Sequence, residues 1–212
     1  MKILYVEASP RKNRSASIEV ARAALAEWQK NPAVTVDTLD VWSTELPEHN
    51  GALLEAKYAA VEGTPLTPEQ AAAWSRIRDI AARFLAADVV VIATPMWNYS
   101  IPYKLKHLID LVTQKDVLFT FDERGLGGLL GGRKALLVFA RGLDYSPGGM
   151  TPAATCDFQK PYLETWLRLV GITDIRTVIV EKTLFGPDVD RAGREDGRLR
   201  VISEVREMSR VP

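Results

Sequence analysis

The chain has 212 residues, 47% of them hydrophobic and 25% charged, and its 27 basic residues balance its 27 acidic ones to a formal net charge of zero. That length suits one α/β domain over residues 1–212 with a substantial core, and interspersed neutral charge excludes the basic stripe of a nucleic-acid binder. A single cysteine, Cys156, excludes an internal disulfide or a Cys-x-x-Cys site, two distant histidines argue against a metal cluster, and no apolar run suggests a leader or a membrane span, so a reduced cytoplasmic setting is expected.

Residues 2–8 read as a first strand, with Ile3, Leu4, Tyr5 and Val6 in an apolar run. A polar loop, 9–17, leads into a helix over 16–30 whose buried stripe is Ile18, Ala21, Leu25 and Trp28, with Ser15 as N-cap. Alternation predicts a second strand at 34–39. Residues 42–65 are broken by Gly, Pro and His and give no regular pattern. Thr67, Pro68 and Gln70 then form the signature of a capped helix start, and Trp74, Ile77, Ala81 and Phe84 carry that helix to residue 87. The unalternated run 89–93 is a strand covered on both faces, followed by the loop 94–102 and a helix over 104–115. Residues 119–128 read as a hairpin outside the main sheet. Strands at 134–140 and 175–180 flank a helix over 158–170 that Gly171 ends, and a charged helix over 187–208 closes the chain. Five strands alternating with helices predict a doubly wound parallel sheet.

Ligands of such sheets bind at the carboxyl ends of the strands, where loops converge over a rigid base. Three loops qualify. The first holds Ser9, Arg11, Arg14, Ser15 and Ser17, whose hydroxyls and charges at a helix start suit a phosphate. It has no glycine, so neither the dinucleotide fingerprint nor a Walker P-loop is present, and a capped helix below a solvated basic loop explains it equally well. The second, Pro95-Met96-Trp97-Asn98-Tyr99, offers two rings, a thioether and an amide to a flat ligand. The third follows the fourth strand at Arg141 and Gly142. His107 among apolar helix neighbours reads as structural, and Trp28 and Trp74 as core.

The ordered set Ser9-x5-Ser15-x-Ser17, Pro95-Met96-Trp97-Asn98-Tyr99, Leu105-Lys106 with Asp110, Phe119-x-Phe121, Arg141-Gly142, Pro161-Tyr162-Leu163 and Gly171-Ile172-Thr173-Asp174 resembles the FMN-dependent NADH-azoreductases, a branch of the flavodoxin-like NAD(P)H quinone reductases. The resemblance implies a flavodoxin-like five-stranded sheet in the order 2-1-3-4-5 with helices on both faces. It implies that Ser9, Ser15 and Ser17, with Arg11 and Ala16, hold the FMN phosphate. Pro95, Met96, Trp97, Asn98 and Tyr99 would wrap the ring, with loop amides on one polar edge, while Ala140, Arg141, Gly142 and Leu143 approach the other. The family pattern has a serine at the place of Ala140 and a second glycine at that of Leu143. Also implied are NADH or NADPH as donor, quinones and azo compounds as acceptors in a ping-pong scheme, and a homodimer with the flavin at its interface, its substrate pocket lined by Phe119, Phe121, Tyr145 and Trp166. The flavin is then the reactive centre, without a catalytic side chain or a metal. The rival readings are a flavodoxin-type electron carrier with no substrate of its own, which a neutral chain of this length fits poorly, and a flavin-free nucleotide-binding or interaction domain.

Overall fold

The structure is a computed structural model and describes residues 1–62, 64–123 and 125–210. Its first half runs β1 (Lys2–Glu7), α1 (Ala16–Trp28), β2 (Thr35–Asp40), α2 (Gly51–Glu62), α3 (Pro68–Ala86), β3 (Val89–Pro95) and α4 (Tyr103–Val112). The second runs β4 (Phe119–Asp122), β5 (Gly125–Gly128), β6 (Lys134–Ala140), α5 (Ala153–Cys156), α6 (Gln159–Leu169), β7 (Asp174–Val180) and α7 (Pro187–Met208). Five strands pair in parallel in the order β2-β1-β3-β6-β7. Counting only these strands, the order is 2-1-3-4-5, because β4 and β5 form a separate antiparallel hairpin.

Alternation along the strands divides the core in two. Ile3, Tyr5, Val89, Val91, Leu136 and Val138 pack under α1 and α7, whereas Leu4, Val6, Val90, Ile92, Leu137 and Phe139 pack under α2, α3, α4 and α6. Because both faces are covered, β3 and β6 have no polar side, which is why their sequences lack alternation. Each fully buried aliphatic side chain here contributes about 1.5–3 kcal/mol. The chain leaves β1 for β2 on one side and returns to β3 on the other, so loops diverge between the carboxyl ends of β1 and β3. That divergence opens a crevice.

The helix starts read from the sequence are present. Thr67 Oγ1 accepts from the Gln70 N–H at 3.2 Å and Gln70 Oε1 from the Thr67 N–H at 2.9 Å, a complete capping box. Gly171 takes φ +103° beyond α6, a backbone that glycine adopts freely. Two elements go beyond the sequence reading. Residues 42–65 are not irregular throughout: α2 lies there, its Leu53 N–H capped by Asn50 Oδ1 at 3.2 Å and its Leu53 and Ala56 in the core. With alanines and leucines on several sides, α2 shows no clear apolar stripe, so periodicity could not reveal it. Short α5 carried no signal either. Gly63, which falls in that same stretch, lies outside the described residues, as does Arg124 of the hairpin.

The hairpin is seated by glycine. A Cβ added at Gly128 would overlap the Gly171 nitrogen and the Val170 carbonyl carbon, while Leu130 N–H donates to Val170 O at 2.7 Å beside it. Gly128→Ala is therefore expected to lower the unfolding free energy by about 1–3 kcal/mol, the range of an overpacked contact, read as a lower urea midpoint at unchanged slope.

Candidate functional site

At the crevice lies a cleft of about 170 Å³ to which every layer of the carboxyl edge contributes. The first loop and α1 supply Ser9, Arg11, Ser15 and Ala16, β3 and its loop supply Pro95, Met96 and Trp97, and β6 supplies Ala140 and Gly142. Thr183, Leu184 and Arg194 complete the lining. A wider cleft of about 830 Å³ opens at the opposite edge, around Met1, Asp88 and Lys134. The ends of α1 and α7 there are carboxyl ends, whose partial negative charge disfavours a phosphate.

The serine loop gathers donors of the kind an anion needs. Ser9, Ser15 and Ser17 are at most 3% exposed. Ser15 Oγ lies 3.1 Å from Ser17 Oγ and accepts only a long bond, 3.5 Å, from Ile18 N–H, and Ser9 Oγ accepts from Arg11 N–H at 3.4 Å. The N–H groups of Ala16 and Ser17, in the first turn of α1, meet no acceptor among the described residues. Two free amides at a helix N-terminus, three weakly bonded hydroxyls and the cations Arg11 and Arg194 form a donor set that fits a phosphate monoester. Arg194 is held toward this edge by Asp190 at 2.8 Å, Glu19 at 2.7 Å and the Arg14 carbonyl at 3.3 Å. Lys12 is already paired with Glu7 at 3.0 Å and Asp40 at 2.5 Å. Partial burial disfavours its ammonium, but the hydrogen bonds to Asp40 and Glu7 outweigh this and lift its pKa.

The aromatic loop turns on Asn98 and Tyr99, at φ +47° and +69°. Trp97 and Ser100 exchange N–H···O bonds of 2.9 and 3.0 Å around them, as in a type I′ turn. Asparagine tolerates this backbone; tyrosine is strained in it. The Trp97 ring packs at 5.8 Å from Trp42, whose Nε1 donates to Ala8 O at 3.1 Å, and at 6.4 Å from Tyr103. The loop amides differ from the expectation in one respect. Met96 N–H is taken by Ala140 O at 2.8 Å and Trp97 N–H by Ser100 O, so only those of Asn98 and Tyr99 remain to meet a ligand. Both of these residues are exposed on the rim beyond the cleft lining.

Arg141 departs from the expectation that its backbone approaches the cofactor with those of Gly142 and Leu143. Its side chain is 1% exposed: Nη2 lies 2.6 Å from Asp157 Oδ2, Nη1 3.3 Å from Glu181 Oε1 and Nε donates to Gln159 Oε1 at 3.2 Å. Its N–H donates to Val180 O at 2.8 Å. The neighbouring N–H groups of Gly142 and Leu143 meet no acceptor among the described residues, so of the three only these two remain available. Leu143 is half-buried and Ser17 fully buried, and neither lines the cleft.

The expected substrate-pocket residues do not come together in this chain. Trp166 is in the core, 5% exposed, edge-on to Phe84 at 6.1 Å with Nε1 donating to Thr113 Oγ1 at 2.9 Å, because α6 turns Leu163, Trp166 and Leu167 to the sheet. Tyr145, 7% exposed, lies over the Arg141 guanidinium at 5.0 Å. Burial pushes its phenol up, against the opposing charge of Arg141. Phe119 and Phe121 are on β4, away from the cleft lining, with Phe121 exposed. His107 bonds Pro47 O at 2.8 Å, the structural role expected of it, and Trp28 and Trp74 are core. Sequence reading missed Thr183, Leu184, Arg194 and Trp42. The first two follow the carboxyl end of β7, so the rule that selected the other loops selects them too; Arg194 was hidden in a charge run.

Residues 1–204 match the family described as having a flavodoxin-like fold. FMN-dependent NADH:quinone oxidoreductase 9 of Burkholderia lata is 51% identical over 213 residues, which is 99% of this chain and 98% of that protein. FMN-dependent NADH:quinone oxidoreductase 3 of Pseudomonas fluorescens is 46% identical over 196 residues, covering 92% and 91%. The crystal structure of azoreductase from Bacillus anthracis str. Sterne superposes with a TM-score of 0.87 at 30% identity, over 98% of this chain and 99% of that one.

Two outcomes follow from the charges of this edge. Arg141→Met strands the buried Asp157 carboxylate, so it is expected to cost about 3–5 kcal/mol in urea unfolding, and Arg141→Met combined with Asp157→Asn less than the sum of the single losses. Lys182, at 2.8 Å, and the Ser146 N–H hold the Asp144 carboxyl down to about 2. An unfolded aspartate titrates near 4, so the contribution of this group is complete above about pH 4 and is lost as pH falls toward about 2. Asp144→Asn is expected to flatten the acid limb of stability against pH in that window, measured by urea midpoints.

Proposed function

The chain belongs to the flavodoxin-like-fold family of the FMN-dependent NADH:quinone oxidoreductases, and from that premise we propose that it is an FMN-dependent enzyme that passes electrons from NADH or NADPH to quinones and to azo or related aromatic compounds. The observation that carries this reading is the cleft at the β1/β3 switch point, where a phosphate-type donor set and an aromatic loop share one edge. Bound FMN supplies hydride acceptance from a nicotinamide and hydride donation to the acceptor.

The residues have separate tasks in this proposal. Ser9, Ser15 and Ser17, with the Ala16 and Ser17 amides, take the phosphate, and Arg11 and Arg194 supply positive potential around it. Pro95, Met96 and Trp97 form one wall of the ring site, with the free amides of Asn98 and Tyr99 at its rim. The Gly142 and Leu143 amides form the opposite polar edge, where donors favour the electron-rich form of the ring. Arg141 and Tyr145 support that edge from behind. A Cβ at position 142 would come 2.7 Å from Leu184 Cδ1, so glycine there keeps Leu184 in place over the cleft. The two substrates use the same open face in turn, a ping-pong scheme.

Phe119 and Phe121 stand outside this chain's own cleft, so they serve the acceptor pocket only across a subunit boundary. Together with exposed Leu126, Met150 and Phe158, an apolar set of the kind found at interfaces, they support a homodimer with the flavin at its interface. Residues 1–212 then act as one cytoplasmic domain, in keeping with a single cysteine and with the absence, among the described residues, of any helix long and apolar enough to cross a membrane.

Purified protein is expected to be yellow or to turn yellow with added FMN, to bleach anaerobically with NADH and to regain colour with a quinone. Ser9→Ala, which removes one hydrogen bond to a charged phosphate, is expected to weaken FMN binding about tenfold or more. A protein that stays colourless with added FMN and oxidises no NADH in the presence of quinone would overturn the proposal; flavin reduction without turnover would favour an electron carrier.

A further inference from the structure

The phosphate loop carries a lysine that does not line the cleft. Lys12 stands between Arg11 and Ser15, both of which do, but its ammonium is spent on the ends of two strands: Nζ lies 3.0 Å from Glu7 Oε1, at the end of β1, and 2.5 Å from Asp40 Oδ2, at the end of β2. Glu7 is buried and is itself fixed by Tyr5 Oη at 3.4 Å and Arg22 Nη2 at 3.6 Å. The Lys12 backbone takes φ +49°, a left-handed conformation that crowds a Cβ and persists only where its surroundings hold it. The two carboxylates supply that hold. Lys12 O accepts from the Ser15 N–H at 2.9 Å, so the placement of Lys12 sets that of Ser15, the N-cap of α1.

Asp40 reaches the other half of the site as well. Its Oδ1 accepts from the Trp42 N–H at 3.0 Å and its Oδ2 from Ser43 Oγ at 2.8 Å, a side-chain turn that directs the chain as it leaves β2. Trp42 Nε1 donates to Ala8 O at 3.1 Å, and its ring packs 5.8 Å from that of Trp97. One oxygen of Asp40 thus holds the turn before Ser15, and the other the residue that braces Trp97. Resting on the FMN reading, we infer that Asp40, outside the cleft itself, is a positioning residue that joins the phosphate half of the site to its ring half, with Lys12 as a tether and not as a charge for the phosphate.

The test titrates the full chain, freed of flavin, with FMN and with riboflavin, which lacks the phosphate, by quenching of flavin fluorescence. Asp40→Asn is nearly isosteric, keeps an acceptor for Trp42 and leaves Lys12 paired with Glu7, so the fold stays intact. It is expected to weaken FMN binding about tenfold more in the parent than in a Lys12→Met background, a cycle in which the charge removed at position 40 cancels. Riboflavin binding is expected to stay the same throughout that cycle. Asp40→Ala, which removes both acceptors, is expected to weaken riboflavin about threefold as well. A cycle without coupling, a coupling of opposite sign such as a lysine released onto the phosphate would give, a riboflavin cycle that moves with the FMN one, or an Asp40→Ala variant that holds riboflavin as tightly as the parent would each overturn the inference. A parent that binds no FMN overturns the oxidoreductase reading and this inference with it, whereas a parent that binds FMN with any of those outcomes overturns the inference alone.

Discussion

The buried guanidinium of Arg141 is the constraint around which the carboxyl edge is arranged. A charge taken this far from water is tolerated only when its donors are met, and here three side chains from two chain segments meet them: Asp157 and Gln159 at the start of α6, and Glu181 after β7. Each partner does a second job. Asp157 Oδ1 accepts from the N–H groups of Gln159 and Lys160, both at 3.0 Å, so the carboxylate that neutralises Arg141 also starts α6. Gln159 Nε2 reaches Thr94 O at 3.4 Å, and Glu181 Oε2 accepts from Tyr145 N–H at 3.4 Å. Moving the arginine would therefore disturb the ends of β3, β6 and β7 together. The backbone repeats the pattern: the Arg141 carbonyl accepts from Thr183 N–H and Oγ1, Gly142 O from Leu184 N–H and Leu143 O from Lys182 N–H. With their carbonyls engaged, residues 142 and 143 have only their N–H groups left to offer.

The facing wall is held by different means. Tyr99 at φ +69° is strained, a state that costs on the order of 1–3 kcal/mol. It persists because the surroundings over-determine it: Trp97 and Ser100 bond each other twice, Phe158 N–H donates to Tyr99 O at 2.9 Å, and Trp42 braces Trp97. The strain turns two main-chain amides outward on an otherwise rigid loop. Amides fixed before a ligand arrives need no ordering when it binds.

What the sequence made legible follows from how local each signal is. The unbroken apolar run 89–93 and the capping box at Thr67 are set by neighbours a few residues apart, so strand and helix were readable from them. The three loops of the candidate site share one edge because each follows a strand, and the topology sends all parallel strands out at that edge. Side-chain direction was not readable. An arginine after β6 points to the cleft or away from it according to a carboxylate sixteen residues later, Trp166 turns inward to a threonine fifty-three residues earlier, and Tyr145 turns inward over that same arginine. Arg194 faces the cleft only because α7 packs against α1, a contact invisible in a run of alternating charges.

The same network explains why departures from the family pattern at Ala140 and Leu143 leave the scaffold intact. Position 140 knits β6 to the aromatic loop through its carbonyl, which accepts from Met96 N–H, and a main-chain bond does not depend on a hydroxyl there. Position 143 bonds through its carbonyl to Lys182, which is anchored in turn by Asp144. A leucine is accommodated half-buried without breaking either link. Of the two positions only 140 lines the cleft, which there presents a methyl in place of a hydroxyl.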